Sequence, residues 1–225
     1  MADFQAICFI GAGAPIIIKR GLQGVVLLLI LVAGAAPLVS TEIQEPSGPA
    51  AWMEEFHLNV NMLLAEHAEE VGSVESKSQQ ASAAVGFIEK HIAVSLAAAH
   101  IYGNGWKSLE KQDQAAFTDA LLAVFRQVMA ENIVDFAGKT LEFKEEQQKG
   151  EKALVRYTVP WDKPSSLVYS LRKRQGKWLI FDINRDGVSL LRNFMSQLRP
   201  IIQREGLEAA VLKLHDIGEK SLRQD

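Results

Sequence analysis

Two carboxylates, Asp182 and Asp186, are the residues of this chain whose type and spacing could support acid–base chemistry. They lie four residues apart, and Asp182 falls within an apolar stretch, IFDI. Such a pair can move protons in an isomerase or dehydratase with a small cone-shaped fold. The competing interpretation is structural: Asp182 accepts a hydrogen bond from a neighbouring turn or pairs with Arg172, Arg174 or Arg185. We favour the structural role.

The other reactive side chains lack catalytic or metal-binding spacing. No two of the five histidines stand three or four residues apart and no cysteine accompanies them, so we interpret them as surface or helix-boundary residues. The segment Gly187-Val188-Ser189 is similar to a nucleophile elbow, but the second glycine is missing and Ser189 suits a helix N-cap. Gly11-Ala12-Gly13 has no strand–helix context for a dinucleotide. We expect no metal, no cofactor and no enzymatic activity.

Composition restricts the class of protein. The chain has 225 residues and a formal net charge of −3, so it can form a substantial single core and lacks the basic excess of nucleic-acid binders. Its only cysteine, Cys8, lies near the N-terminus, so the body cannot form an internal disulfide. That is compatible with the cytoplasm and equally with the bacterial periplasm.

The N-terminal segment favours export. Lys19-Arg20 precede the apolar run VVLLLILVAGAAPLV, and small residues at positions 33–35 suit cleavage. We therefore predict a signal peptide over residues 1–36 and a periplasmic protein. An uncleaved membrane anchor over residues 21–41 is the alternative. Residues 37–50, rich in Pro, Ser and Gly, are a predicted linker, and residues 51–225 a single domain.

Hydrophobic periodicity predicts helices first, strands second and helices last. The predicted helices begin near Ala51, Ser82, Ser108, Ser189 and Leu207, and Gly72–Gln80 is a predicted polar loop. The predicted strands are Thr140–Glu145, Lys152–Trp161, Leu167–Arg174 and Lys177–Ile183. Because the loops between them are short, the strands must be antiparallel neighbours. The pattern predicts an α+β fold: a curved four-stranded antiparallel meander packed against several helices, as an NTF2-like cone with an apolar pocket.

The pocket is predicted from an excess of apolar surface. The last strand is apolar on both faces, with Trp178 and Ile180 on one face and Leu179, Phe181 and Ile183 on the other. The flanking helices also carry apolar stripes. Such a set is compatible with a filled core and equally with a hollow one.

Five motifs in order carry a resemblance to a known family. The longest is GKWLIFDINRDGVSLLRNFMSQLRPIIQREG (residues 176–206); the others are Gly105-Trp106 with Gln114 and Phe117, IVDFAGKTLEF (133–143), LVRYTV (154–159) and REGLEAAVLKL (204–214). Together they resemble the MlaC-like, or toluene-tolerance, family of periplasmic auxiliary proteins of lipid ABC transporters. Three positions depart from the family pattern: Met195 replaces an arginine, Pro200 interrupts the last motif helix, and an Asp-Phe pair expected before Trp106 is missing.

The resemblance implies a lipid-binding shuttle between inner- and outer-membrane transport complexes. Its implied partners are a phospholipid, an inner-membrane ABC transporter complex with its lipid-binding subunit, and an outer-membrane lipoprotein complex; we expect a monomer that binds no nucleic acid. The departures leave a hopanoid or another polycyclic lipid as an alternative ligand. The residues that we expect to line the pocket, chosen by pattern, are Phe125, Val155, Tyr157, Tyr169, Leu171, Ile180, Val188, Leu191, Phe194 and Leu198.

Overall fold

The computed structural model describes residues 48–66 and 74–221. The predicted signal peptide and residues 37–47 of the predicted linker lie outside this part of the chain. Within it the helices are α1 (Pro49–Glu66), α2 (Val74–Glu89), α3 (Val94–Tyr102), α4 (Lys111–Asn132), α5 (Leu190–Glu205) and α6 (Leu207–Ser221). The strands are β1 (Glu142–Lys149), β2 (Lys152–Val159), β3 (Ser165–Arg174), β4 (Lys177–Arg185) and β5 (Val188–Ser189). None of the helices in the described ranges combines the length and apolar character needed to cross a membrane.

The strands form one antiparallel sheet in the order β1-β2-β3-β4-β5. The predicted α+β class with a curved antiparallel meander is therefore confirmed, with one strand more than the four expected. The additional strand, β5, has two residues and returns along the end of β4 across a turn at Asp186 and Gly187. Both turn residues have positive φ, 51° and 89°, as the turns that match strand twist require.

The interior contains two apolar clusters. The first lies between α1, α2 and one face of the sheet, and its most deeply buried members include Met53, Leu64, Val155 and Leu171. The second joins α3, α4, α5 and α6 around Phe117, Leu198 and Leu214. Ser189 begins α5 as predicted, because its hydroxyl accepts a hydrogen bond from the Arg192 backbone N–H at 3.0 Å. The helix continues through Pro200 to Glu205.

The predicted second helix, Ser82 to Tyr102, is wrong in two respects. It begins earlier, at Val74, inside the predicted polar loop, and it is divided into α2 and α3. At the division the chain pairs with β4: Ala93 N donates to the Ile180 carbonyl and Ile180 N to the His91 carbonyl, both at 2.8 Å. Neither glycine nor proline marks the break, since the backbone groups that leave the helix find partners in the sheet.

The alternation predicted for β4 is also wrong at Ile183. Asp182 lies opposite Ser170 and Ile180 opposite Leu171, so Phe181 is an extra residue in a β-bulge. A bulge reverses the facing of the residues beyond it. Ile183 therefore joins Ile180 on the face that packs against α1 and α2, and Phe181 packs into the other cluster.

Strand β1 is longer and more exposed than predicted. It continues to Lys149, through residues interpreted as a loop, and every side chain along it is exposed. Phe143 is 51% exposed, because β1 is the edge strand of the sheet.

Candidate functional site

A space of about 520 Å³, here called cavity A, lies between α1 and the beginning of the sheet. Its lining comes from α1, the segment before β1, and the first two strands: Ala50, Ala51, Glu54, His57, Leu58, Asn61, Thr140, Leu141, Phe143 and Tyr157. The Glu146 carboxylate of β1 accepts a hydrogen bond from Ala50 N at 2.7 Å. This contact holds the first turn of α1 against the edge strand, because an acceptor at a helix N-terminus satisfies a backbone donor that the helix leaves free.

A second space of about 480 Å³, cavity B, lies where the end of α4 faces β3, β4 and the start of α5. It is lined mainly by apolar side chains with a polar edge: Val128, Met129, Asn132, Ile133, Phe136, Leu167, Tyr169, Ile183, Arg185, Asp186, Val188, Leu190 and Asn193. At the polar edge the Arg185 guanidinium lies 4.1 Å from the centre of the Trp161 ring. Both cavities have volumes in the range of small-molecule sites, about 300–1,000 Å³.

A narrow space of about 50 Å³, the junction, separates the two cavities. It shares His57, Asn61 and Leu141 with cavity A. With cavity B it shares the residues Met129, Ile133, Phe136, Tyr169 and Ile183. Cavities A and B therefore adjoin the same junction, on either side of His57 and Tyr169. A side pocket of about 40 Å³ lies beside the junction, between α3, α5 and β4. It is lined almost entirely by apolar groups.

Three polar rings lie together beside the junction: His57 and Tyr169 line it, and Tyr157 lines the adjacent part of cavity A. The His57 Nε2 atom lies 3.1 Å from the Tyr169 hydroxyl, and the His57 ring contacts the Tyr157 ring edge-on at 4.8 Å between centres. Burial lowers the pKa of His57 to about 4, because it disfavours the charged imidazolium. Burial likewise raises the pKa of Tyr157 to about 12 and raises that of Tyr169. His57 thus contradicts our interpretation of the histidines as surface or helix-boundary residues.

Exposed apolar side chains stand at the rims. Leu58 and Phe143 line cavity A, and Val188 lines cavity B with 66% of its surface exposed. Large exposed apolar residues at the edge of an apolar cavity are typical of a site that exchanges a hydrophobic ligand.

Asp182 has a structural role, as we favoured, and the catalytic alternative is wrong. One carboxylate oxygen accepts from the Ser189 hydroxyl at 2.7 Å and the other from Leu191 N at 2.9 Å. Together Asp182 and Ser189 satisfy two of the free backbone donors in the first turn of α5, those of Leu191 and Arg192. The second carboxylate, Asp186, accepts from the Ser165 hydroxyl and Ser166 N, and these hydrogen bonds lower its pKa. Both carboxylates are thus engaged in positioning backbone.

The pattern-based lining residues divide between the cavities and the solid core. Tyr157 lines cavity A, Tyr169 the junction and cavity B, and Val188 cavity B. The side pocket is lined by Phe125, Ile180, Leu191 and Phe194. The structure places Val155, Leu171 and Leu198 in the core with no exposed surface.

Several lining residues were missing from the pattern-based set. On α1 they are Phe56, His57, Val60 and Asn61, and after α4 they are Ile133 and Phe136. The apolar stripe of α1 was visible in the sequence, but a stripe predicts burial and not whether it faces side chains or a cavity. Among the described residues, no group of three or more His, Cys, Asp or Glu side chains is arranged to hold a metal ion.

Comparison with known proteins gives two findings. A family model described as "MlaC protein" matches residues 60–216. Among solved structures, the chain is similar to a phospholipid-binding protein from Ralstonia solanacearum determined in complex with a phospholipid. The TM-score is 0.62 and the sequence identity 19%, over 74% of this chain and 97% of that chain. At this identity the structural likeness supports the fold.

Proposed function

Because this chain belongs to the MlaC protein family, we propose that it is a periplasmic carrier that buries the acyl chains of a phospholipid in cavities A and B. The family makes it a lipid-binding protein without enzymatic activity.

The observation that carries this proposal is the pair of adjacent cavities between α1, α4 and the sheet. Two acyl chains contain about thirty methylenes, and each costs about 0.8 kcal/mol to expose to water, or roughly 25 kcal/mol in all. A lipid therefore crosses an aqueous compartment only if a protein covers its chains. Cavities of about 520 and 480 Å³, whose walls are mainly apolar, have the size and surface that such a cover needs.

Transfer by such a carrier needs no bond to be broken. Membrane and cavity are similarly apolar, so exchange between them is nearly balanced in free energy. The exposed apolar residues Leu58, Phe143 and Val188 mark where a chain would pass in or out. The headgroup stays at a rim, where water and polar side chains solvate it.

The family resemblance also supports the choice of partners. We infer that the carrier exchanges lipid with an inner-membrane ABC transporter complex through its lipid-binding subunit, and with an outer-membrane lipoprotein complex. It acts as a monomer, because a shuttle must diffuse between them. The Ralstonia protein of the same fold was determined with a phospholipid, which favours that ligand over a polycyclic lipid.

The test is to express the full chain, purify its exported form without detergent, and extract bound lipid with organic solvent. We expect mass spectrometry to identify glycerophospholipid in near-stoichiometric amount. Recovery of a hopanoid or another polycyclic lipid in its place would show that the ligand is that lipid, and the carrier function would still hold. Repeated recovery of empty protein that also takes up no lipid from vesicles would contradict the proposal.

A further inference from the structure

The three polar rings beside the junction, of which His57 and Tyr169 line it and Tyr157 lines cavity A, are unusual in an interior built to hold hydrocarbon. His57, Tyr157 and Tyr169 come from α1, β2 and β3, and their ring centres lie 4.8 to 6.1 Å apart. Tyr157 and Tyr169 are 4% and 7% exposed. A filled apolar core would gain nothing from polar atoms here, since burying a hydroxyl without a partner costs free energy.

The cluster has hydrogen-bonding capacity that the protein does not use. Only one contact joins its polar atoms, between His57 Nε2 and the Tyr169 hydroxyl. Within the described residues, the Tyr157 hydroxyl and the second nitrogen of His57 have no hydrogen-bond partner. Tyr157 lines cavity A, and His57 lines both cavity A and the junction. An unpartnered buried donor beside a ligand cavity indicates a polar group on the ligand.

The cluster is uncharged, which restricts that group. The lowered pKa of His57 and the raised pKa of the two tyrosines leave all three rings neutral near pH 7. Among the described residues, no Lys or Arg lines cavity A, where Glu54 adds negative charge, whereas Lys139 lines the junction. A phosphate inside cavity A would lose its hydration without a cation from the wall of that cavity in return. A neutral acceptor oxygen would lose little and would accept from the tyrosine hydroxyls.

We propose that His57, Tyr157 and Tyr169 form a subsite for the ester carbonyl oxygen of a diacyl lipid. This inference rests on the proposed function and adds which part of the lipid the protein recognises. The carbonyl accepts from the Tyr157 hydroxyl, and the Tyr169 hydroxyl is the second donor, with its oxygen accepting from His57 Nε2–H. The ester region then lies at the boundary of cavity A and the junction, with hydrocarbon on either side. The phosphate remains outside, at the rim of cavity A.

The experiment compares two phospholipids with the same headgroup and chain length, one with ester-linked and one with ether-linked chains. The exported protein from the full chain is freed of lipid and offered both in equal amounts, and native mass spectrometry measures the bound ratio. Since an ether lacks the carbonyl acceptor, we expect about tenfold preference for the ester lipid, which corresponds to about 1.4 kcal/mol. Equal binding of the two lipids would contradict the ester subsite but not the proposed function as a lipid carrier.

Variants assign the preference to the cluster. We expect Tyr157→Phe and Tyr169→Phe each to reduce the ester preference, and the double variant to abolish it while ether lipid still binds. Tyr102→Phe, on α3 in the other apolar cluster, is the matched control and should keep the full preference.

A double variant that is folded by circular dichroism yet retains the preference would refute the assignment. So would displacement of the ester lipid by an equimolar free fatty acid, because a carboxyl group would then be the preferred occupant. Binding of neither lipid would overturn the proposed function itself.

Discussion

At the scale of single residues, the polar groups of this interior have distinct tasks. Asp182 uses both carboxylate oxygens to begin α5, and Ser189 shares that task. His57 and Tyr169 share one hydrogen bond. Both side chains line the junction, where they can form further hydrogen bonds. Polar groups that hold backbone can thus be separated from polar groups that face the cavities.

The role of Asp182 predicts a loss of stability on replacement. Asp182→Ala removes two hydrogen bonds at the first turn of α5, so we expect the free energy of unfolding to fall by about 1–2 kcal/mol. Urea denaturation measures it, with Asp162→Ala, an exposed position, as the control. An unchanged midpoint for Asp182→Ala would show that the carboxylate does not hold the helix.

The buried His57 predicts a dependence of stability on pH. Its pKa is about 6.5 when unfolded and about 4 when folded, so the unfolded chain binds more protons between these values. The contribution of neutral His57 is full above pH 6.5 and is lost as pH falls toward 4, by about 3 kcal/mol at most. We expect His57→Phe to show a shallower decline over this window in urea titrations. Parallel curves for the two proteins would contradict the buried, neutral state of His57.

At the scale of elements, the interior space depends on how β4 is built. The bulge at Phe181 turns Ile183 toward the junction, where it stands between cavities A and B and beside the side pocket. A larger side chain at this position would block the passage between the two cavities.

Blocking the junction predicts a loss of bound lipid. We expect Ile183→Trp to reduce co-purified phospholipid several-fold, because the indole occupies the space through which a chain must run. Leu212→Trp, at an exposed position on α6, makes the same kind of change away from the cavities and should retain the wild-type amount. Equal lipid content in both folded variants would show that chains do not use the junction.

The same elements show what the sequence could predict. Short loops determine the antiparallel order of the strands, and the stripe of α1 predicts that Phe56 and Val60 are buried. The bulge in β4 could not be predicted, since both faces of that strand are apolar and no alternation marks the extra residue. The division between α2 and α3 was hidden for a related reason: the apolar spacing continues across it, and only pairing with Ile180 interrupts the helix.

The candidate site was less predictable than the fold. Val155 and Leu171 alternate correctly along their strands and are buried, yet they pack in solid core. Whether a buried side chain meets another side chain or an open space depends on distances between elements, which periodicity does not contain. The sequence therefore predicted burial at these positions and could not separate cavity wall from core.

At the scale of the whole molecule, a lipid held in cavities A and B would be part of the stability of the fold. Lipid that binds only the folded state stabilises it by about 3–4 kcal/mol at 100 to 1,000 times the dissociation constant. We therefore expect delipidated protein to unfold at lower urea concentration and to recover its midpoint when phospholipid is returned. Identical midpoints with and without lipid would contradict binding inside the fold.

The most direct test of the account is to locate the acyl chains in the bound complex. A phospholipid with a photoreactive diazirine near the end of one chain is loaded into the exported protein and irradiated, and the labelled peptides are mapped by mass spectrometry. We predict labels on the residues that line cavities A and B and the junction, such as Met129, Ile133 and Tyr169. Labels confined to exposed apolar residues away from the cavities, such as Leu154 and Leu212, would place the chains on the surface and contradict the account.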